Sequence, residues 1–247
     1  MKRAERKKIK SNEFAKSVAR AQAALAEHQR QVTTIIVVLV AIAVAAGVYF
    51  TWRSSRNSKA TTMLATALAT AEAPVVPITP PAPGSPPPIQ QPGTYPTDNA
   101  RAEAALPLLL QTANAYPGTP SGITARYRAA ALLASLGRFT EAETQYQQVI
   151  QKAGHESIYG RTARLGLGET QLAEGKTDAA IATLQELATD GTSDLPLDGV
   201  LMQLGRAYLK AGKTAEASRA FTRVINEFPQ SLFADDAKAE LATVKKG

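Results

Sequence analysis

The side chains with the most scope for chemistry are few and scattered. His28 and His155 are the two histidines in 247 residues, and there is no cysteine. A protein zinc site needs three or four nitrogen, sulfur or oxygen ligands close together. Neither histidine has a second within ligand spacing, so no metal site is expected. The missing thiols also exclude disulfide staples and a cysteine nucleophile. The closest acidic pairs are Glu141 with Glu143 and Asp235 with Asp236. Helical residues two apart point to different faces, and adjacent aspartates suit a helix start, where the macrodipole favours negative charge. Neither pair makes an acid and base couple. No phosphate loop, dinucleotide fingerprint or nucleophile elbow is present. The expectation is a protein that is not an enzyme, with no cofactor and no small-molecule substrate.

The elements that would carry any function begin with an apolar run. From Gln31 to Trp52 there are 22 residues without a charge, bounded by Arg30 and Arg53, and eleven of them are Val, Ile, Leu or Phe. At 1.5 Å per helical residue this run spans a hydrocarbon core of about 30 Å. Residues 32–52 are therefore expected to form a transmembrane helix, with Tyr49 and Trp52 as interfacial anchors. Residues 1–31 read as a basic amphipathic segment with nine Lys/Arg against three Glu, suited to anionic headgroups or to orienting the span. Few basic residues follow it (Arg53, Arg56, Lys59), which predicts a cytoplasmic N-terminus and an extracytoplasmic remainder. The length of the charged leader and of the apolar run favours an anchor that is not cleaved.

The net charge of +7 is no nucleic-acid footprint, because residues 98–247 carry 16 basic against 17 acidic side chains. Residues 53–73 include an Ala/Leu/Thr stretch, Asn57 to Ala73, that reads as a short helix. Residues 74–97 are a linker or insert, with ten prolines between Pro74 and Pro96. Such a composition forbids a ladder of backbone hydrogen bonds and favours an extended, semi-rigid spacer.

From residue 98 to 247 the chain repeats itself. In 198–231, Leu204, Gly205, Tyr208, Gly212, Ala217, Phe221, Val224 and Pro229 hold positions 7, 8, 11, 15, 20, 24, 27 and 32 of a 34-residue unit. This is the tetratricopeptide pattern, with Leu201 where Trp is usual. Repeats 161–194 (Gly168, Gly175, Ala180, Leu184) and 123–156 (Gly137, Ala142, Tyr146) are weaker copies. Small residues at Gly168 and Gly205, with Ala180 and Ala217 opposite, are expected to let paired helices approach. Tyr146, Leu184 and Phe221 would fill the space beside them. Gly137, Gly175 and Gly212 would stop each first helix in the left-handed conformation. Residues 57–73 and 99–116 read as a repeat split by the proline-rich insert, and 232–246 as a capping helix. The fold class is all-α: one N-terminal transmembrane helix, then a solenoid of stacked helical hairpins.

Stacked repeats present a concave face built from positions 2, 5, 9 and 12 of each first helix. Tyr127, Leu165 and Met202 form an apolar row there, with Glu169, Arg206 and Leu209 beside them. That combination suits apolar or amphipathic polypeptide segments. It lacks the Lys and Asn residues with which some tetratricopeptide domains clamp a C-terminal carboxylate.

A basic leader, a span ending Tyr49-Phe50-Thr51-Trp52-Arg53, an Ala/Leu helix after it and degenerate repeats to the C-terminus resemble the bacterial ancillary SecYEG translocon subunit family. Its domain is shared with cell-division coordinator proteins. The resemblance implies an inner-membrane protein beside the secretion channel, presenting its repeats to secreted polypeptides or periplasmic chaperones. An envelope scaffold for cell division or wall assembly is the alternative it implies. The proline-rich insert is foreign to that pattern.

Overall fold

The computed structural model describes Lys16 and residues 29–78, 89–189 and 195–244. Most of the basic leader, His28, the centre of the insert, residues 190–194 at the end of the second repeat and Lys245 and Lys246 lie outside these. The chain divides into two units, Met1–Ser55 and Arg56–Gly247.

Among the described residues all regular structure is helical apart from one isolated bridge. Helix α1 runs Gln29–Ala71, α2 Asp98–Ala115, α3 Pro120–Ser135, α4 Phe139–Ala153 and α5 Ile158–Glu174. They are followed by α6 Thr177–Thr189, α7 Leu197–Lys210, α8 Thr214–Glu227 and α9 Ala234–Val244. The expected break between the apolar run and the Ala/Leu/Thr helix is absent: both belong to α1. No proline lies within it, its one glycine is Gly47, and no capping pair interrupts 52–71. In the first unit the side chains of Ile35 to Trp52 are exposed wherever they are large and apolar. By length and composition this helix can cross a membrane or act as a signal sequence.

In the second unit, the part of α1 from Arg56 onward joins the repeats. Ala67 is enclosed with Leu106, Leu109 and Ala113 of α2, and Leu64 packs against the same cluster. Thr61 shares a hydrogen bond of 2.9 Å with Ser121 at the start of α3, and the Arg56 guanidinium lies 5.7 Å from the centre of the Tyr116 ring. Helix α2 starts at Thr97, whose hydroxyl accepts from the Ala100 amide at 3.1 Å. It continues through Pro107, which has no amide to donate and whose ring lies on the exposed side.

The insert is not free of backbone pairing. Val76 N–H donates to the Tyr95 carbonyl at 2.8 Å, and Tyr95 N–H to the Pro74 carbonyl at 3.0 Å. A ladder needs amides, which prolines lack, but Val76 and Tyr95 supply them and Pro74 serves as acceptor. Two bonds therefore close the base of the insert.

Three first helices end alike. Gly137, Gly175 and Gly212 have φ of 73°, 90° and 71°. The residue after each donates to the carbonyl five positions back: Arg138 to Leu133, Lys176 to Gln171 and Lys213 to Tyr208, each at 2.8 Å. This is the Schellman closure, for which a residue with a Cβ is strained. The same three basic side chains then reach an acid on the preceding second helix. Arg138 meets Glu103 at 3.6 Å, Lys176 meets Glu143 at 2.8 Å and Lys213 meets Asp178 at 3.5 Å. One glycine and one base thus turn the chain and tie neighbouring hairpins.

Two of the three first helices, α3 and α5, also begin alike, whereas α7 follows Pro196 with no side-chain cap. The Thr119 and Ser157 hydroxyls accept from the amides of Gly122 and Gly160 and donate to the carbonyls of Tyr116 and Gly154. A Cβ at either glycine would run into those same two carbonyls. Ser231 holds the matching place before α9, accepting from Phe233 N–H at 3.0 Å.

Candidate functional site

The side chains at the glycine crossings fix how the first helices are presented. A Cβ on Gly205 would lie 2.5 Å from the Phe221 ring, and one on Gly168 would lie 2.9 Å from Leu184. The large residue of the second helix sits over each glycine. Ala142, Ala180 and Ala217 are fully buried beside these contacts. Tyr146 packs in its own repeat, in one cluster with Ala130, which stands where the later repeats have glycine. It also reaches the next repeat, where a Cβ on Gly166 would meet its ring at 2.5 Å. Gly166 went unmarked in the sequence because it stands off the repeat pattern, two residues before Gly168.

Position 4 of the repeats, usually Trp, is filled by Arg126, Arg164 and Leu201. Both guanidiniums are interior, with Arg126 6% and Arg164 3% exposed. Arg126 donates to the amide oxygens of Asn114, Gln145 and Gln148, at 2.7, 2.7 and 2.5 Å. Burial without a neighbouring carboxylate among those partners lowers its pKa. Arg164 donates to Glu186 at 2.9 Å and to the His155 carbonyl. It lines a cleft of about 460 Å3 together with Gln147, Gln151 and Thr183. Glu186 already neutralises its charge, and Ile150 and Leu167 share the lining, so the cleft is a mixed polar and apolar seam between α4, α5 and α6. His155 lines the same cleft, and among the described residues no three His, Asp or Glu side chains are grouped to hold a metal.

The expected row on the first-helix face is only partly accessible. Tyr127 is half-buried, edge-on to Tyr146 at 5.8 Å and 66°. Leu165 and Leu209 are half-buried and pack against the second core cluster. Met202 is 0% exposed and does not line the face. It is enclosed in that cluster with Phe221, Ala217 and Ala237 of α9, against which Phe233 and Leu241 also pack. The terminal helix closes this end of the stack and takes Met202 with it.

The polar residues of the row form a sequence across three helices, α5, α7 and α9. Glu169 of α5 keeps much of its surface exposed while part of its side chain is covered, and it feels Gln203 and the charge of Arg206. Arg206 turns instead towards α9, 3.5 Å from Glu240 and 3.8 Å from Asp236. Partial burial pushes the Glu169 carboxyl above its ordinary range, and Gln203 and Arg206 offset this only in part. A carboxyl raised on folding contributes stability that is complete below the unfolded pKa of about 4.3 and is lost as pH rises through the folded value. Glu169→Gln is therefore expected to raise the urea midpoint at neutral pH. The gain should vanish in acid, where both states of the wild type are protonated. Equal midpoints at neutral pH would refute the assignment.

The matched family model is the tetratricopeptide repeat-like domain, over residues 22–245. The chain belongs to the tetratricopeptide repeat-like domain family. Such domains are generally protein-interaction modules and typically not catalytic. Solved structures of a putative kinesin light chain from Podosopora anserina, with nearly identical repeats, agree on the fold. One superposes with a TM-score of 0.51 at 19% identity, over 60% of this chain and 79% of that one. A point-substituted form of the same repeats gives 0.52, with the same identity and coverage. MamA from Desulfovibrio magneticus RS-1, residue 41 to the end, gives 0.45 at 18% identity, over 59% of this chain and 81% of that one. A search of the curated proteins found no match.

Proposed function

We propose that this tetratricopeptide repeat-like protein is a single-pass membrane protein whose repeats lie on the extracytoplasmic side. There it serves as an accessory of the Sec translocon. Its first-helix face receives apolar or amphipathic segments of secreted chains, or periplasmic chaperones, and its apolar helix lies in the bilayer. The observation that carries the reading is the run from Gln31 to Trp52, uncharged and with large apolar side chains exposed wherever they are described. Such a surface needs about 30 Å of hydrocarbon to cover it. Nine basic residues before the run orient it. The resemblance to the ancillary translocon subunit family supports the rest.

The test exploits the absence of native cysteine. A single cysteine at Lys8 or at Gly247 is labelled in intact cells with an impermeant thiol reagent. Labelling at 247 only is the expected result, and labelling at 8 only would reverse the anchor. A photocrosslinker at Tyr127 or Leu165 should then capture secreted chains or their chaperones. Crosslinks confined to a folded septal partner would favour the envelope-scaffold role.

A further inference from the structure

The second unit has two edges. One carries the glycine turns between paired helices. On the other the first helices start, and there the chain enters the unit at Arg56. Arg56 donates to the Ala115 carbonyl at the end of α2, at 3.4 Å, and Thr61 shares its hydrogen bond with Ser121 at the start of α3. Helices α3, α5 and α7 are successive neighbours, each reached through an antiparallel second helix, so they start on one edge. Ser231, before α9, bonds with Asp198 at the start of α7 and brings α9 to the same edge. Outside the insert, the large apolar side chains left exposed among the described residues of this unit are Ile158 at 45%, Tyr159 at 39% and Leu232 at 97%. All three belong to the entry edge: Ile158 and Tyr159 open α5, and Leu232 follows Ser231. We propose that this edge is seated in the interfacial layer of a lipid bilayer, with Ile158, Tyr159 and Leu232 entering it.

The tether selects the occupant. The uncharged run ends at Trp52, and the three residues Arg53 to Ser55, even fully extended, hold Arg56 within about 14 Å of it. An edge held that close to an apolar span meets its bilayer at a high effective concentration. The side chains suit that layer: two branched aliphatics, and a tyrosine whose ring is apolar and whose hydroxyl stays with water. Charge along the edge is mixed. Glu156 pairs with Arg161 at 2.9 Å and Glu227 with Arg223 at 2.7 Å, and Arg56, Lys59, Lys152 and Asp198 stand among them. The small excess of base lies mainly at the tether, so apolar insertion and not headgroup charge seats the rest of the edge. This inference rests on the proposed placement of the run in a bilayer and adds how the repeats are held against it.

The experiment uses the full chain in phosphatidylcholine nanodiscs that carry spin-labelled phosphatidylcholine as a quencher. With no native cysteine, one fluorophore is attached at a time: through Phe50→Cys in the run, Gln230→Cys on the entry edge, or Ser135→Cys beside the Gly137 turn. Strong quenching is expected at 50 and 230 and little at 135. Quenching at 230 should persist in about 0.5 M salt, where exposed charges are screened. Ile158→Ser, Tyr159→Ser and Leu232→Ser combined should leave the urea midpoint near that of the wild type, because the three side chains are exposed. The same triple variant should lower the seated population roughly ten-fold, so that quenching at 230 falls to the level at 135. Quenching at 50 with none at 230 would overturn the seating and leave the membrane-anchored reading standing. No quenching at 50 would overturn both. Undiminished quenching at 230 in the triple variant, or its loss in salt, would overturn the apolar contact. So would a photocrosslinker at residue 159 that captures a second copy of the chain and no lipid.

Discussion

Gly205→Val is expected to cost about 3 kcal/mol and to unfold the last hairpin first. A glycine inside a helix is about 1 kcal/mol worse than alanine by propensity alone, so substitution should stabilise if space allowed it. It does not, because the first added carbon lies 2.5 Å from the Phe221 ring, which is itself fully buried. Overpacking a closed core costs about 1–3 kcal/mol, and valine adds two further carbons beyond the Cβ. The clash therefore outweighs the propensity. Urea unfolding of the full chain in detergent measures the loss. Pairing Gly205→Ala with Phe221→Leu should recover part of what Gly205→Ala loses, since the second change withdraws the ring. An unchanged midpoint for Gly205→Val would mean that the two helices do not cross there.

Tyr146→Ala is expected to be at least as costly, about 3–5 kcal/mol by the scale of aromatic truncations. It also differs in kind. Tyr146 belongs to α4 but occupies the recess at Gly166 of α5, and it carries the edge-on contact with Tyr127. Its removal weakens the junction between repeats as well as its own hairpin. In a solenoid, stability is a sum of unit and neighbour terms, so weakening one junction should divide a single unfolding transition into two. The division should follow the two core clusters, which meet at α5: Ala163 and Leu167 face the first, Leu165 and Leu172 the second. Tyr146→Phe should lose only a small part of this, because phenylalanine keeps the ring carbons that enter the recess and gives up the hydroxyl beside them. One sharp transition in Tyr146→Ala, at the wild-type midpoint, would contradict this assignment.

The sequence alone determined the features that a single residue can impose on the backbone. Left-handed turns need glycine, and Gly137, Gly175 and Gly212 announce them at matching positions. The small and large residues of the repeat imply close helix crossing, and a long uncharged run stands out by composition. The unbroken α1 was also open to local reasoning, since nothing between Trp52 and Ala71 stops a helix.

Only the tertiary structure decided what depends on the neighbouring repeat. Stacking, and not the 34-residue pattern, sends Tyr146 to Gly166 and puts Arg126 and Arg164 in the interior. A lone arginine in a sequence reads as a surface charge, and Arg126 becomes a core residue through three amides brought from α2 and α4. Met202 holds the same repeat position as Tyr127 and Leu165, yet it is buried in the cluster that α9 helps to close. Equal positions in a repeat have equal backbone geometry, but their exposure is set by what is stacked against them.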